Sequence, residues 1–202
     1  MVHVSRPPRQ ATTTSLQACA TRKARQVTEP KIRESPLDDV ASILEIKQLK
    51  AQYCYCVDHK DWARWACLFT TDGLLDERGS AIARDPITNE RVPVAGFSFE
   101  FFEERDVFDW PLRGREAIQS FGETIAANNR TIHHIFEPEI ELTSANTAKA
   151  KWPMEDYVWY PEGSPIRYSH GMGYYHETYE RIESGKWLFK TINFSRSWMD
   201  VR

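Results

Sequence analysis

Apolar residues between positions 37 and 58 recur at steps of three and four, which is the spacing of one face of a helix. The residues on this face are Val40, Ile43, Leu44, Ile46, Leu49, Tyr53 and Val57. Ser35 is suited to cap such a helix, and Pro36 to occupy its first turn. The pattern therefore predicts a long amphipathic helix that begins after Ser35 and ends near Asp58.

Two shorter helices are predicted after the first one. Asp61 is suited to cap a helix over residues 62–69, and Gly73 would end it. A third helix is predicted to begin at Gly114 and to reach about Ala127.

From residue 131 onward the pattern changes to long stretches rich in β-branched and aromatic residues, which is typical of strands. The predicted strands are 131–142, 147–160, 166–182 and 187–199. The segments between them are rich in Ser, Asn, Gly and Pro, as hairpin turns are. An antiparallel meander that follows three helices predicts an α+β fold, in which one curved, mostly antiparallel sheet wraps on the helices.

The length of 202 residues fits one domain with a substantial core. We place this domain at 35–202, with an insertion at about 78–110 whose apolar run 97–102 is either a strand or a lid. Residues 1–28 carry five Lys and Arg residues and no acid. This composition predicts a disordered basic tail over 1–34; an organellar transit segment is the alternative, although the amphipathic period of such segments is not evident.

Composition and charge bear on the partners of the chain. The formal net charge of −3 gives no reason to expect nucleic acid, because a phosphate-binding face needs clustered Lys and Arg. No apolar run approaches the roughly 18 residues of a membrane span, so no membrane partner is expected. Cys54 and Cys56 lie two apart on a predicted helix, where their side chains diverge, and no disulfide framework is evident. We therefore expect a reducing, cytoplasmic compartment.

Asp58 and a histidine at the start of the sheet are the candidates for acid–base chemistry. Asp58 lies at the C-terminal end of a helix, where the helix dipole disfavours a carboxylate unless it faces water or has a partner. His133 and His134 point to opposite faces of a strand, so only one of them can enter a pocket. A neutral imidazole held by a carboxylate is a common general base near neutral pH. Each residue alone is more often a surface residue, and the pattern does not place Asp58 beside either histidine.

Further candidates lie on the same helix and on the last strands. Tyr53 precedes Asp58 by slightly more than one turn, so its phenol either donates to an oxygen on which charge develops or belongs to the core. Arg196 either binds an anionic group of a substrate or forms a salt bridge at the rim. His170, a substrate-binding candidate, shares a face with His176, but the spacing of a metal site is absent and no metal is expected. The expected pocket walls are Trp152, Trp159, Tyr168 and Phe194.

Six short motifs follow one another along the chain. They are Ile46-Lys-Gln-Leu-Lys-Ala-Gln-Tyr53, Val57-Asp-His-Lys-Asp-Trp62, Leu68-Phe-Thr-Thr-Asp-Gly73, Gly114-Arg-Glu-Ala-Ile118, Thr131-Ile-His-His134 and Gly185-Lys-Trp187. In this order they resemble the SnoaL-like branch of the nuclear transport factor 2-like superfamily, over about residues 37–200. The resemblance implies a cone-shaped α+β barrel, in which three N-terminal helices pack on a curved sheet that encloses a pocket.

The members of this family with known chemistry include scytalone dehydratase, the bile acid 7α-dehydratase and hexachlorocyclohexane dehydrochlorinase. All three are cofactor-free eliminating enzymes with an Asp–His pair. The resemblance implies the same pair here, formed by Asp58 with His133 rather than His134, and no cofactor. It also makes Tyr53 and Arg196 the counterparts of a tyrosine and an arginine of the bile acid enzyme.

Two departures point away from scytalone dehydratase itself. Val57 stands where that enzyme has a catalytic tyrosine, and Leu75-Asp76-Glu77 lacks its second one. We therefore expect a lyase of secondary metabolism that dehydrates another hydrophobic polycyclic or aromatic molecule, such as a polyketide or steroid. The same base could instead serve an isomerase or a cyclase. From another class, the alternative is a non-catalytic binding or assembly module like a dioxygenase small subunit. Dimers and trimers both occur in the family, so a homodimer or homotrimer is expected.

Overall fold

A computed structural model describes residues 36–81, 87, 88, 90, 109–164 and 166–202. Its elements are α1 (Pro36–Asp58), α2 (Trp62–Cys67), β1 (Phe69–Asp76), a 3-10 turn (Arg78–Ala81), β2 (Leu112–Arg113), α3 (Gly114–Phe121), a π-helical turn (Gly122–Ala126), β3 (Arg130–Ile135), β4 (Glu139–Leu142), β5 (Thr147–Trp159), β6 (Tyr168–Arg181) and β7 (Trp187–Val201). The predicted α+β class is confirmed. The basic tail, the Ser35 cap and most of the 78–110 insertion, including 97–102, lie outside the described residues.

The strands form one sheet in the order β2-β1-β7-β6-β5-β3, and β4 also pairs with β5. The sheet is mostly antiparallel, as expected, but β1 and β7 pair in parallel. Along β5 and β6, buried and more exposed residues alternate, which is typical of a sheet with one face packed on a core. The helix α1 packs on the sheet at β3, β4 and β7, and α2 and α3 pack on β1.

The helix boundaries follow the prediction with one exception. α1 ends at Asp58, and Asp61 caps α2 by accepting a hydrogen bond from the backbone N–H of Arg64 at 3.3 Å. Gly73 does not end α2, so that expectation is wrong. The chain leaves the helix already at Leu68, and Gly73 is a buried residue within β1.

Residues 131–142 form two strands rather than the single predicted one. β3 ends at Ile135 and β4 begins at Glu139. Pro138 lies between them and has no backbone N–H to donate, which interrupts the ladder. Both strands pair with β5, so the interruption does not change the partner.

An aromatic core lies between α1 and the inner face of the sheet. The ring of Tyr53 packs against Trp65, Phe69, Tyr175 and Phe189, with ring centroids 5.6–6.4 Å apart. Lys50 of α1 is fully buried in this core together with Glu177 of β6. Their charged atoms Nζ and Oε1 lie 2.6 Å apart, and the Lys50 ammonium also lies 3.3 Å from the ring centroid of Tyr175. The core therefore contains an ion pair as well as apolar contacts.

The described helices include none that is long and apolar enough to cross a membrane. Cys54 and Cys56 are buried free thiols. The compartment of the protein stays a prediction.

Candidate active site

The end of α1 and the start of β3 bring Asp58 and His133 into direct contact. The His133 ring atom Nδ1 lies 2.7 Å from Asp58 Oδ1, and the His133 backbone N–H donates to Asp58 Oδ2 at 3.1 Å. The hydroxyl of Thr131 donates to Asp58 Oδ1 at 2.9 Å. A carboxylate accepts only, so it holds the proton of a neutral imidazole on Nδ1 and leaves Nε2 with a free lone pair.

Asp58 is held in its charged form by these contacts. Burial opposes ionisation of the carboxyl group, but the hydrogen bonds and charge of His133 and the hydroxyl of Thr131 outweigh it and lower the pKa of Asp58. Lys60 extends the chain of contacts, because its Nζ donates to the Thr131 hydroxyl at 2.9 Å. Burial lowers the pKa of Lys60, while the charge of Asp58 opposes this effect. The carboxylate at the end of α1 thus has the partners that its unfavourable position in the helix dipole requires.

The two adjacent histidines point to opposite faces of the sheet. His133 pairs with Asp156 on β5, and both side chains lie on the inner face. His134 pairs with Glu155 and binds its carboxylate on the outer face, with Nδ1 3.0 Å from Oε1. The structure therefore brings His133 to Asp58, and it keeps His134 away from the pair.

Glu77 and Tyr53 form a second polar group on the inner side. Glu77 directly follows β1, and the hydroxyl of Tyr53 donates to its Oε1 at a long 3.5 Å. Burial raises the pKa of Glu77 to about 6, against the opposing charges of His133, Lys50 and others nearby. Burial likewise raises the pKa of Tyr53 well above its usual value, with a contribution from Glu77. Both groups therefore hold their protons more tightly than they would in water.

Arg196 makes a buried salt bridge rather than one at the rim. Its Nη1 and Nη2 donate to the two oxygens of Asp156, each at 2.9 Å, and its Nε donates to the carbonyl of Ser80 at 3.0 Å. The pair ties β5, β7 and the 3-10 turn together. Arg196 thus holds the inner face together rather than offering a free guanidinium to a substrate anion.

Of the expected pocket walls, Trp152 and Phe194 lie on the inner face and are 2% exposed. Trp159, Tyr168 and His170 do not, which corrects their assignment to the pocket. They lie on the outer face because they have the opposite strand parity. His170 stacks on Tyr157 with ring centroids 4.2 Å apart, and Trp159 packs on Tyr168. These three side chains face away from His133.

The sequence prediction missed three residues that contact or flank the pair. Thr131 and Asp156 were both detectable in principle: Thr131 shares the parity of His133, and Asp156 is an acid at an inward position of a strand that is otherwise apolar there. Glu77 gave a weaker signal, as an acid next to the apolar stretch of β1. Within the described residues, no group of three or more His, Cys, Asp or Glu side chains is arranged to hold a metal ion.

Comparison with known proteins identifies the family of this chain. The model of the SnoaL-like domain family matches residues 38–193. Three similar solved structures are a protein provisionally named scytalone dehydratase from Novosphingobium aromaticivorans DSM 12444, a hexachlorocyclohexane dehydrochlorinase (LinA) of type 2, and the LinA-type3 dehydrochlorinase from Novosphingobium barchaimii LL02.

Sequence identity to these structures is low, at 19%, 18% and 18%, and the TM-scores are 0.59, 0.61 and 0.60. The matches cover 82%, 83% and 83% of this chain and 90%, 93% and 94% of the other chains. At this identity the structures establish the fold, whereas the family model spans most of the sequence. The chain therefore belongs to the SnoaL-like family, with the cone-type α+β fold of nuclear transport factor 2-like proteins.

Proposed function

We propose that this protein is a cofactor-independent lyase in which His133 is the general base of an elimination. The contact between Asp58 and His133 carries the proposal. A carboxylate that accepts from Nδ1 fixes the tautomer in which Nε2 can take a proton, and it stabilises the imidazolium that results. The similarity to proteins named for dehydratase and dehydrochlorinase activities supports elimination as the type of reaction.

The reaction begins when Nε2 of His133 removes a proton from a carbon next to an activating group. The electrons of that C–H bond form a double bond, and a leaving group departs from the neighbouring carbon. Tyr53 assists as a hydrogen-bond donor to the oxygen on which charge develops, because its raised pKa keeps its proton in place. Proton removal is also the first step of double-bond isomerisation and of some ring closures, so the same base serves those reactions.

The inner face of the sheet supports a substrate class. Trp152 and Phe194 lie on that face, and together with the rings of Tyr53 and Tyr175 they make it strongly aromatic. An aromatic or polycyclic molecule, such as a hydroxylated polyketide or steroid, is the ligand that such surroundings favour.

Turnover of hydroxylated polyketides and steroids by the purified protein tests the proposal. Wild type is compared with Asp58→Asn, which keeps the shape of the side chain, and with His133→Ala. His134→Ala is the matched control, since it removes a neighbouring imidazole from the outer face. We expect kcat/KM to fall by roughly 10²–10⁴-fold in both site variants and to stay within about twofold in the control.

The pattern across the variants decides the outcome. Full activity of both Asp58→Asn and His133→Ala on a substrate that wild type converts would show that another group is the base. An equal loss in His134→Ala would mean that the variants act through the stability of β3 rather than through proton transfer.

A further inference from the structure

Glu77 differs from the other buried carboxylates of the inner face in its bonding. Asp58 accepts three hydrogen bonds, Asp156 accepts two from Arg196, and Glu177 accepts from Lys50 and from Tyr179. Within the described part of the chain, the carboxyl group of Glu77 has a single hydrogen bond, the 3.5 Å contact from Tyr53. A buried carboxyl group with so little compensation is costly, so such groups are found mainly where they have a function.

The position of Glu77 suggests what it faces. The residue is partly buried, and its carboxyl group lies beside the hydroxyl of Tyr53, which belongs to α1 and precedes Asp58 by slightly more than one turn. The charge of His133 opposes the rise in the pKa of Glu77, so the two groups lie within electrostatic range of each other. The 3-10 turn after Glu77 is fixed, because a side chain at Gly79 would collide with the carbonyl of Phe194. The backbone that follows Glu77 is therefore packed closely against β7.

We propose that Glu77 is the general acid of the elimination and delivers its proton to the leaving oxygen. The inference rests on the proposed function, since it needs His133 as the base. As Nε2 of His133 takes the proton from carbon, the C–H electrons form the double bond and the C–O bond breaks. The leaving oxygen takes the proton of Glu77 and departs as water. Glu77 is left as a carboxylate and His133 as an imidazolium, and the imidazolium proton returns to Glu77 through the released water.

These two roles require different protonation states of two carboxyl groups, those of Asp58 and Glu77. Asp58 stays ionised because of its hydrogen bonds, whereas Glu77 keeps its proton up to higher pH because it lacks them. An acid beside the base is needed for a hydroxyl leaving group, which cannot depart as hydroxide, and is superfluous for a halide. Glu77 therefore defines the substrate class as hydroxylated rather than halogenated molecules.

Two aromatic probes separate the acid from the base. The first is the β-hydroxy ketone formed from benzaldehyde and acetone, whose oxygen must leave as water. The second is nitrobenzisoxazole, in which removal of a carbon-bound proton expels a stable phenolate that needs no acid. We expect Glu77→Gln to lower kcat/KM for the hydroxy ketone by roughly 10²–10⁴-fold. The kcat/KM for nitrobenzisoxazole should stay within about tenfold of the wild-type value. His133→Ala should lose both reactions, and Asp76→Asn, one residue away, should lose neither.

Different results overturn different parts of the scheme. An equal loss of both reactions in Glu77→Gln would assign it a structural role and refute the inference, while the loss in His133→Ala keeps the base. Activity of His133→Ala on both probes, or no turnover by wild type, would refute the proposed function.

The pH dependence of benzoate binding tests, without turnover, whether Glu77 faces the ligand. A carboxylate binds beside Glu77 only while Glu77 is protonated, so the affinity of wild type should fall by up to tenfold per pH unit above about 6. The affinity of Glu77→Gln should not follow this dependence. Identical pH profiles of the two proteins would show that Glu77 does not face the ligand, and would refute the inference.

Discussion

Replacing Glu77 by Gln should raise the free energy of unfolding, relative to wild type, at neutral pH but not at acid pH. Burial raises the pKa of Glu77 from 4.5 to about 6 in the folded protein. Below about pH 4.5 the carboxyl group is protonated in both the folded and the unfolded state, and it contributes nothing. Above about pH 6 it is ionised in both, and the folded state carries the full cost of the buried charge. At about 1.4 kcal/mol per pKa unit, this cost is about 2 kcal/mol.

Urea unfolding of wild type and Glu77→Gln between about pH 4 and pH 8 measures this cost. The difference in the free energy of unfolding, variant minus wild type, should rise by about 2 kcal/mol between pH 4.5 and pH 7. With a slope near 2 kcal/mol per molar urea, the midpoint difference changes by about 1 M. Groups that are remote from Glu77 contribute equally in both proteins, so their contributions cancel in the difference.

Asp76→Asn supplies the matched control on the same segment. The hydrogen bonds of Arg78 lower the pKa of Asp76, so its contribution is present above its ordinary pKa and is lost only in stronger acid. The difference between Asp76→Asn and wild type should therefore stay flat between pH 5 and pH 8. A flat difference for Glu77→Gln as well would mean that Glu77 is solvated, and the reasoning about its environment would be wrong.

Two further predictions concern the inner face. Lys50→Met should destabilise the protein by about 3–5 kcal/mol in urea unfolding, because it leaves the charge of Glu177 buried without its partner. The double variant Lys50→Met/Glu177→Gln should recover part of this loss, and no recovery would argue against a charge effect. Gly171→Ala should lower the free energy of unfolding by about 1–3 kcal/mol, because its Cβ would collide with the guanidinium of Arg196, which is held by its hydrogen bonds to Asp156. An unchanged urea midpoint would show that Arg196 can move away.

The fold was largely predictable because its elements carry strong local signals. The apolar period of α1, the cap at Asp61 and the turn composition between strands each depend on neighbouring residues. Two features could not be predicted from neighbouring residues. Gly73 looked like a helix end, but a glycine is equally suited to the close packing it has in β1, where its nearest neighbour is Phe69. The parallel pairing of β1 with β7 depends on a partner far along the chain, which local patterns do not encode.

The candidate site was predictable in part. The alternation of side chains along a strand shows that only one of His133 and His134 can face the pocket, but it does not show which one. The resemblance to the SnoaL-like family selects His133. The same parity would have excluded Trp159 from the face of Trp152, because the two are an odd number of residues apart on one strand. The environment of Glu77 was not predictable, since the absence of strong partners around a buried carboxyl group is a property of three-dimensional packing alone.

The parallel pairing of β1 with β7 determines when the site can become complete during synthesis. Leu75 and Asp76 pair with Ile192 and Asn193, and the turn that follows Glu77 rests on the same late strand. A nascent chain that has not yet released β7 from the ribosome lacks the strand on which this turn rests. The growing polypeptide therefore cannot fix the position of Glu77 until β7 is in place.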